Sequence, residues 1–128
     1  MKVICAGLSK TGTTSLAKAL RVLGYNVYDF DEHRQFHQQV WLDSLETDRL
    51  PNFKAMYEGV DAITDIPPAF WFEEISAAFP EAKVILTIRD SEEAWLKSFK
   101  ANLSLLNHQE IGDFFQLTSV FRTVSCVA

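Results

Sequence analysis

The feature that most constrains this chain is a glycine-bounded loop between an apolar strand and an amphipathic helix. Residues 2–6 form a short apolar run, Gly7-Leu-Ser-Lys-Thr-Gly12 follows, and Leu16, Ala19, Leu20 and Leu23 then recur at helical spacing. Strand, loop and helix in that order place unpaired backbone amides and the positive end of a helix at one point, which is the geometry for holding a phosphate. Hydroxyls at Thr13, Thr14 and Ser15 add donors. A Walker loop has lysine directly after the second glycine, whereas here that slot is Thr13 and the lysine lies inside the loop at Lys10. The dinucleotide fingerprint G-x-G-x-x-G is not met either. The bland competitor is a helix N-cap following a flexible loop.

The rest of the chain alternates in the same way. Gly24 stops the first helix, residues 25–28 read as a second strand ending at Asp29, and residues 32–50 as a polar helix with Phe36, Val40, Trp41 and Leu45 on one side, closed by Pro51. Residues 60–64 form a third strand, Pro67 and Pro68 punctuate the following turn, and 70–79 is helical. Residues 83–88 are nearly continuous in apolar character, as expected of a parallel strand buried on both faces. Ser91 caps a further helix carrying Ala94, Trp95, Ser98 and Phe99, and a last helix is expected over 109–121. Strands alternating with helices imply right-handed crossovers. The expected fold is α/β, a three-layer α/β/α arrangement with a parallel sheet of about four strands in one domain spanning 1–128.

Composition supports this. The chain has 128 residues, 48% hydrophobic and 23% charged, enough to bury a core without disulfides or a structural metal. Its net charge of −5 argues against nucleic acid as a partner. Residues 1–28 nevertheless contain no acid but carry Lys2, Lys10, Lys18 and Arg21, which suits an anionic ligand there. No apolar run reaches the ~20 residues of a membrane span, and the N-terminus does not read as a secretory signal. Cys5 and Cys126 are expected as free thiols, and the compartment as cytoplasmic.

In open parallel sheets ligands bind beyond the carboxyl ends of the strands, which selects residues 7–14, Asp29, Asp65 and Arg89-Asp90. Those residues carry a resemblance. Ser9-Lys-Thr-Gly-Thr-Thr-Ser-Leu16 resembles the 5′-phosphosulfate loop of the sulfotransferases that use 3′-phosphoadenosine 5′-phosphosulfate (PAPS). Val84-Ile-Leu-Thr-Ile-Arg89 with Ser98 is similar to their second signature, an arginine at a strand end followed by a serine about two helical turns on. Ala62-Ile-Thr-Asp65-Ile-Pro67 falls where the family places its general base, as in the branch of small sulfotransferase-like proteins with aspartate there. The likeness runs from Val3 to about Phe99.

It implies sulfuryl transfer from PAPS to a hydroxyl or amine of a small-molecule or glycan acceptor, by in-line displacement without a metal. Lys10 would stabilise the leaving group, and Asp65 would be the base. Ser9, Lys10, Thr11, Gly12, Thr13, Thr14 and Ser15 would hold the 5′-phosphosulfate, and Arg89 and Ser98 the 3′-phosphate. Two departures stand out: Ser98 is nine residues after Arg89 where eight is usual, which would select Lys97, and Ser15 replaces a tryptophan common near the adenine. The resemblance also implies further sequence closing over the donor, so 1–128 reads as a donor-binding half.

Each assignment has a competitor. Asp65 before Ile66-Pro67 could cap a turn, and Arg89-Asp90 could be a surface ion pair. Phe70, Trp71 and Phe72 could line an acceptor pocket or fill the core. His33 and His37 lack a third ligand and read as a solvated polar face. Asn102-Leu-Ser104 matches a glycosylation sequon, set aside because it falls in a predicted helix. Asp29 favours a dinucleotide alternative by its reach to a ribose. A nucleotide kinase or NTPase with a variant loop, or a nucleotide-binding domain without activity, are the alternatives. The sequence does not yield the acceptor or the oligomeric state.

Overall fold

The computed structural model describes residues 1–109 and Gly112. The helix expected over 109–121, and Cys126, lie almost wholly outside them. The elements run β1 (Val3–Cys5), α1 (Thr13–Val22), β2 (Val27–Tyr28), α2 (Phe30–Thr47), α3 (Phe53–Met56), β3 (Ala62–Ile63), a 3₁₀ turn (Pro68–Trp71), α4 (Phe72–Ala78), β4 (Lys83–Ile85) and α5 (Glu92–Leu103). The four strands are all parallel in the order β2-β3-β1-β4.

Register sorts the sheet's two faces. Val3 pairs with Ala62 and Ile4 with Ile63, so alternate residues feed opposite layers. On one face Ile4 and Ile63 pack with Trp41 of α2, Phe53 of α3 and Ile75 of α4. On the other, Val3 and Ala62 pack with Ala17 and Leu20 of α1. Ile66 and Ala69 form a third cluster with Leu8, Phe30, Phe99 and Leu103. Helices therefore flank both faces of the sheet.

Three expectations change. First, the run over 83–88 is not buried on both faces: β4 ends at Ile85 and pairs with β1 alone among the described residues, and Val84, Leu86 and Ile88 are 46%, 67% and 74% exposed. A continuous apolar run reports local composition, but the number of neighbours a strand acquires is set by sheet order. Second, Phe36 and Val40 of α2 are exposed, while His33 is fully buried and His37 half-buried. The inward stripe is His33, His37 and Trp41 at intervals of four, so the solvated polar face expected for the histidines is not formed. Third, α2 begins two residues early because Glu32 Oε2 accepts the Asp29 amide at 2.9 Å, half of a D-x-x-E capping box.

Gly7 is required by close approach. A Cβ there would stand 1.9 Å from Thr87 Oγ1, which itself meets Thr11 Oγ1 at 2.8 Å and Cys5 Sγ at 3.7 Å. This contact seats the loop against the end of β4. Gly12, by contrast, is a conformational requirement, with φ at 100° just before α1.

Candidate active site

The site lies where the sheet geometry places it, beyond the carboxyl ends of β1, β3 and β4. A cavity of about 410 Å³ is lined by Ser9, Lys10 and residues 12–15 of the loop, by Asp29 and Asp65, and by Arg89 and Asn102, whereas Thr11 lies outside it.

Asp65 is its most constrained member. It follows β3, is 7% exposed, and holds a left-handed φ of 66°. A non-glycine residue there costs about 1–2 kcal/mol and persists where the surroundings over-determine it. They do: Oδ1 accepts Ser9 Oγ and, at 2.7 Å, the Ile66 amide, while Oδ2 accepts Thr13 Oγ1 at 2.9 Å. The carboxylate thus ties the end of β3 to both ends of the loop, and it does not cap the following helix. Burial holds its pKa above the usual carboxylate value and the charge of Asp29 adds to the rise, against the bonds from Ser9, Ile66 and Thr13. Oδ2 carries one donor and keeps a lone pair beside the cavity.

Lys10 also sits at positive φ, 67°, in the middle of the loop. Its ammonium donates to Asn102 Oδ1 at 3.2 Å, and its carbonyl accepts Arg89 Nε at 2.6 Å. Arg89 Nη2 in turn donates to Ser98 Oγ at 3.0 Å. The guanidinium is therefore held by the loop and by α5 instead of pairing with Asp90. Ser98, not Lys97, meets Arg89: Ser91 caps α5 through the Ala94 amide at 3.1 Å, and that start turns Trp95, Ser98, Phe99 and Asn102 inward while Lys97 is exposed. Trp95 Nε1 completes the buttress by donating to the Ser9 carbonyl at 2.9 Å.

The loop hydroxyls divide by direction. Ser9 and Thr13 are buried and face Asp65, and Thr11 Oγ1 faces the Leu8 carbonyl at 2.6 Å and Thr87. Thr14 and Ser15 are exposed at the cavity wall beside the first amides of α1. An anion there meets Thr14, Ser15 and the backbone, whereas Thr13's single proton goes to Asp65. Asp29 lines the cavity too, but its Oδ1 accepts Thr64 Oγ1 at 2.8 Å. Trp71 stacks on Trp41 with centroids 5.0 Å apart, Phe72 packs on the main core and Phe70 on the Ile66 cluster, so these three serve packing.

Sequence reasoning missed Asn102, which appeared only as a sequon, and Trp95 as a brace. Their recurrence with Ser98 and Phe99 at intervals of three and four was the available signal. Among the described residues no group of three or more His, Cys, Asp or Glu side chains converges on one point, and no helix is long and apolar enough to cross a membrane.

The chain as a sequence matches one family model over nearly its whole length. Residues 2–126 match the sulfotransferase domain family, and the chain belongs to it. It is also 37% identical over 113 residues to the Ava biosynthesis cluster protein M of Aspergillus versicolor, an alignment covering 80% of this chain and 43% of that protein. The chain thus spans less than half the length of the curated relative it matches.

Proposed function

We propose that this chain forms the donor-binding part of a PAPS-dependent sulfotransferase, with Asp65 as general base and Lys10 stabilising the leaving group. The observation that carries the reading is one cavity lined by Asp65, Lys10 and Arg89, with Ser98 joined to it through its hydrogen bond from Arg89 Nη2. The cavity suits a bisphosphorylated nucleotide chemically: helix amides with Thr14 and Ser15 form one anion site, and the planar fork of Arg89 offers a second. When bound, PAPS supplies the sulfuryl group.

The chain's own residues then have separable tasks. Lys10 places a positive charge where negative charge grows on the departing phosphate oxygen. Asp65 takes the acceptor's proton on Oδ2, a role its raised pKa favours by making the carboxylate a stronger base. Ser9, Thr13 and the Ile66 amide keep that carboxylate aimed. Arg89, held by the Lys10 carbonyl, sets the distance between the two anion sites. The acceptor is proposed to be a small-molecule or glycan hydroxyl or amine. Residues 1–128 are proposed as one domain, acting in the cytoplasm.

Isothermal titration of the chain with adenosine 3′,5′-bisphosphate tests this, with ATP and Mg²⁺ as the comparison. Binding of the bisphosphate, weakened in Arg89→Ala, is expected. Binding of ATP with Mg²⁺ but not of the bisphosphate would favour the nucleotide kinase or NTPase alternative and end the sulfotransferase reading.

A further inference from the structure

His33 is a fully buried histidine that the proposed chemistry does not use. It sits one turn into α2, next to the half-buried His37 one turn on, and a buried imidazole without a hydrogen-bond partner would be costly. Its partner is specific: Nε2 lies 3.2 Å from the carbonyl of Thr64, the residue immediately before Asp65.

Thr64 is held at every polar atom it has. Its amide donates to the Tyr28 carbonyl at 2.9 Å, its hydroxyl to Asp29 Oδ1 at 2.8 Å, and its carbonyl faces His33. The first two anchors come from the end of β2 and the third from α2. Asp65 follows at once, in the left-handed conformation that swings its side chain toward Ser9 and Thr13. The peptide joining Thr64 to Asp65 includes the Thr64 carbonyl, so the group gripping that oxygen sets the plane from which Asp65 departs.

We infer that His33 is a positioning residue for Asp65, its Nε2–H bond to the Thr64 carbonyl holding the peptide that turns the carboxylate into the cavity. Among the described residues, the titratable rings against it are His37 on α2 itself, Tyr28 at the end of β2 and Tyr57 after α3, with centroids 6.4, 6.2 and 6.1 Å away. Burial first, and His37 second, push the His33 pKa down to about 3. The ring is therefore neutral at ordinary pH. Its one proton belongs on Nε2, because the Thr64 carbonyl at 3.2 Å can only accept, and of the two backbone carbonyls that act on the ring, Thr64 and Tyr28, Thr64 acts more strongly. The brace is permanent, unlike a pH switch.

The role of Asp65 as base rests on the sulfotransferase reading, but the brace itself is testable without it. Long-range ¹H–¹⁵N NMR of the unaltered protein is expected to show the Nε2–H tautomer of His33 from pH 5 to 8; an Nδ1–H tautomer overturns the inference. In His33→Phe, which keeps a ring but removes the donor, the ¹³Cα and ¹³Cβ shifts of Asp65 are expected to leave their left-handed values. In His33→Gln, which restores an amide donor near the Nε2 position, they are expected to return. A His33 that only fills space would lower the melting temperature of His33→Phe and leave the Asp65 shifts native, and that result overturns the inference. Should His33→Phe fail to fold, the tautomer and His33→Gln still decide. Titration of the unaltered protein with adenosine 3′,5′-bisphosphate reports separately on the donor reading, since no binding there leaves the Asp65 signature unaffected.

Discussion

The two walls of the cavity are built differently. Residues 62–69, on the β3 side, are all buried, and Thr64 and Asp65 have their polar groups matched to neighbours. The β4–α5 side is thin: among the described residues α5 has no buried residue, β4 pairs with β1 alone, and Arg89 and Trp95 reach the loop through isolated hydrogen bonds. The buried wall can hold a carboxylate in a strained conformation because water does not compete for its partners. The exposed wall holds a guanidinium in place but leaves its charge hydrated and available. On the proposed function, the first environment suits Asp65 as a base, and the second suits Arg89 as a cation that would capture a nucleotide anion from solution.

Substitutions on the two walls should fail differently. The largest effect is expected at the proposed base and leaving-group stabiliser: on the proposed function, Asp65→Asn and Lys10→Ala should each cut sulfuryl transfer by about 10²–10⁴-fold, the range for a positioned acid–base group or a charge-stabilising donor. Far-UV circular dichroism should stay native, and full activity in Asp65→Asn would remove the base assignment. Next comes Arg89→Ala, for which calorimetry should show bisphosphate affinity weakened by roughly 10–100-fold, as for loss of a hydrogen bond to a charged group. Its melting temperature should barely change.

Gly7→Ala tests the seam between the walls. The 1.9 Å approach of its Cβ to Thr87 Oγ1 should cost about 1–3 kcal/mol of stability, as overpacking does. The double variant with Thr87→Ala should recover part of the loss in urea unfolding, and no recovery would place the strain elsewhere.

Acid titration separates two buried groups of opposite sign. Asp65 has a raised folded-state pKa, so the native state binds its proton more readily than the unfolded chain does. Its contribution to stability therefore falls as pH rises from the ordinary carboxylate value through the raised one. His33 drops from 6.5 to about 3 on folding, so its neutral form favours the native state and that contribution is lost as pH falls from 6.5 toward 3. Urea midpoints measured against pH should flatten at the acid end in His33→Gln and steepen there in Asp65→Asn. The smallest effect is expected on the exposed wall, where Leu86→Ala should change stability by less than about 0.5 kcal/mol despite its place in an apolar run.

The legible parts of the site were those written in contiguous residues. The loop from Gly7 to Ser15, Asp65 after β3 and Arg89 after β4 all sit at strand ends, where local pattern suffices. Ser98 was ambiguous because one residue rotates a helix by about 100°, and the cap at Ser91 settled its direction. His33 was misjudged because a histidine pair in a polar stretch resembles a solvated face; the tyrosine rings and Thr64 carbonyl that surround it come from β2, α3 and β3. Asn102 is far from Lys10 in sequence, and its contact depends on α5 folding back across the loop.

By itself, the sequence determined the alternation of strands and helices, the glycine-bounded loop between β1 and α1, and the family, because hydrophobic period, glycine placement and strand-end chemistry are local properties. Only the tertiary structure decided that β4 pairs with β1 alone among the described residues, that the Thr13 hydroxyl donates to Asp65 at the cavity wall, and that His33 grips Thr64. Each of these depends on which distant segments become neighbours, and burial and hydrogen-bond partners are properties of the neighbourhood, not of the residue.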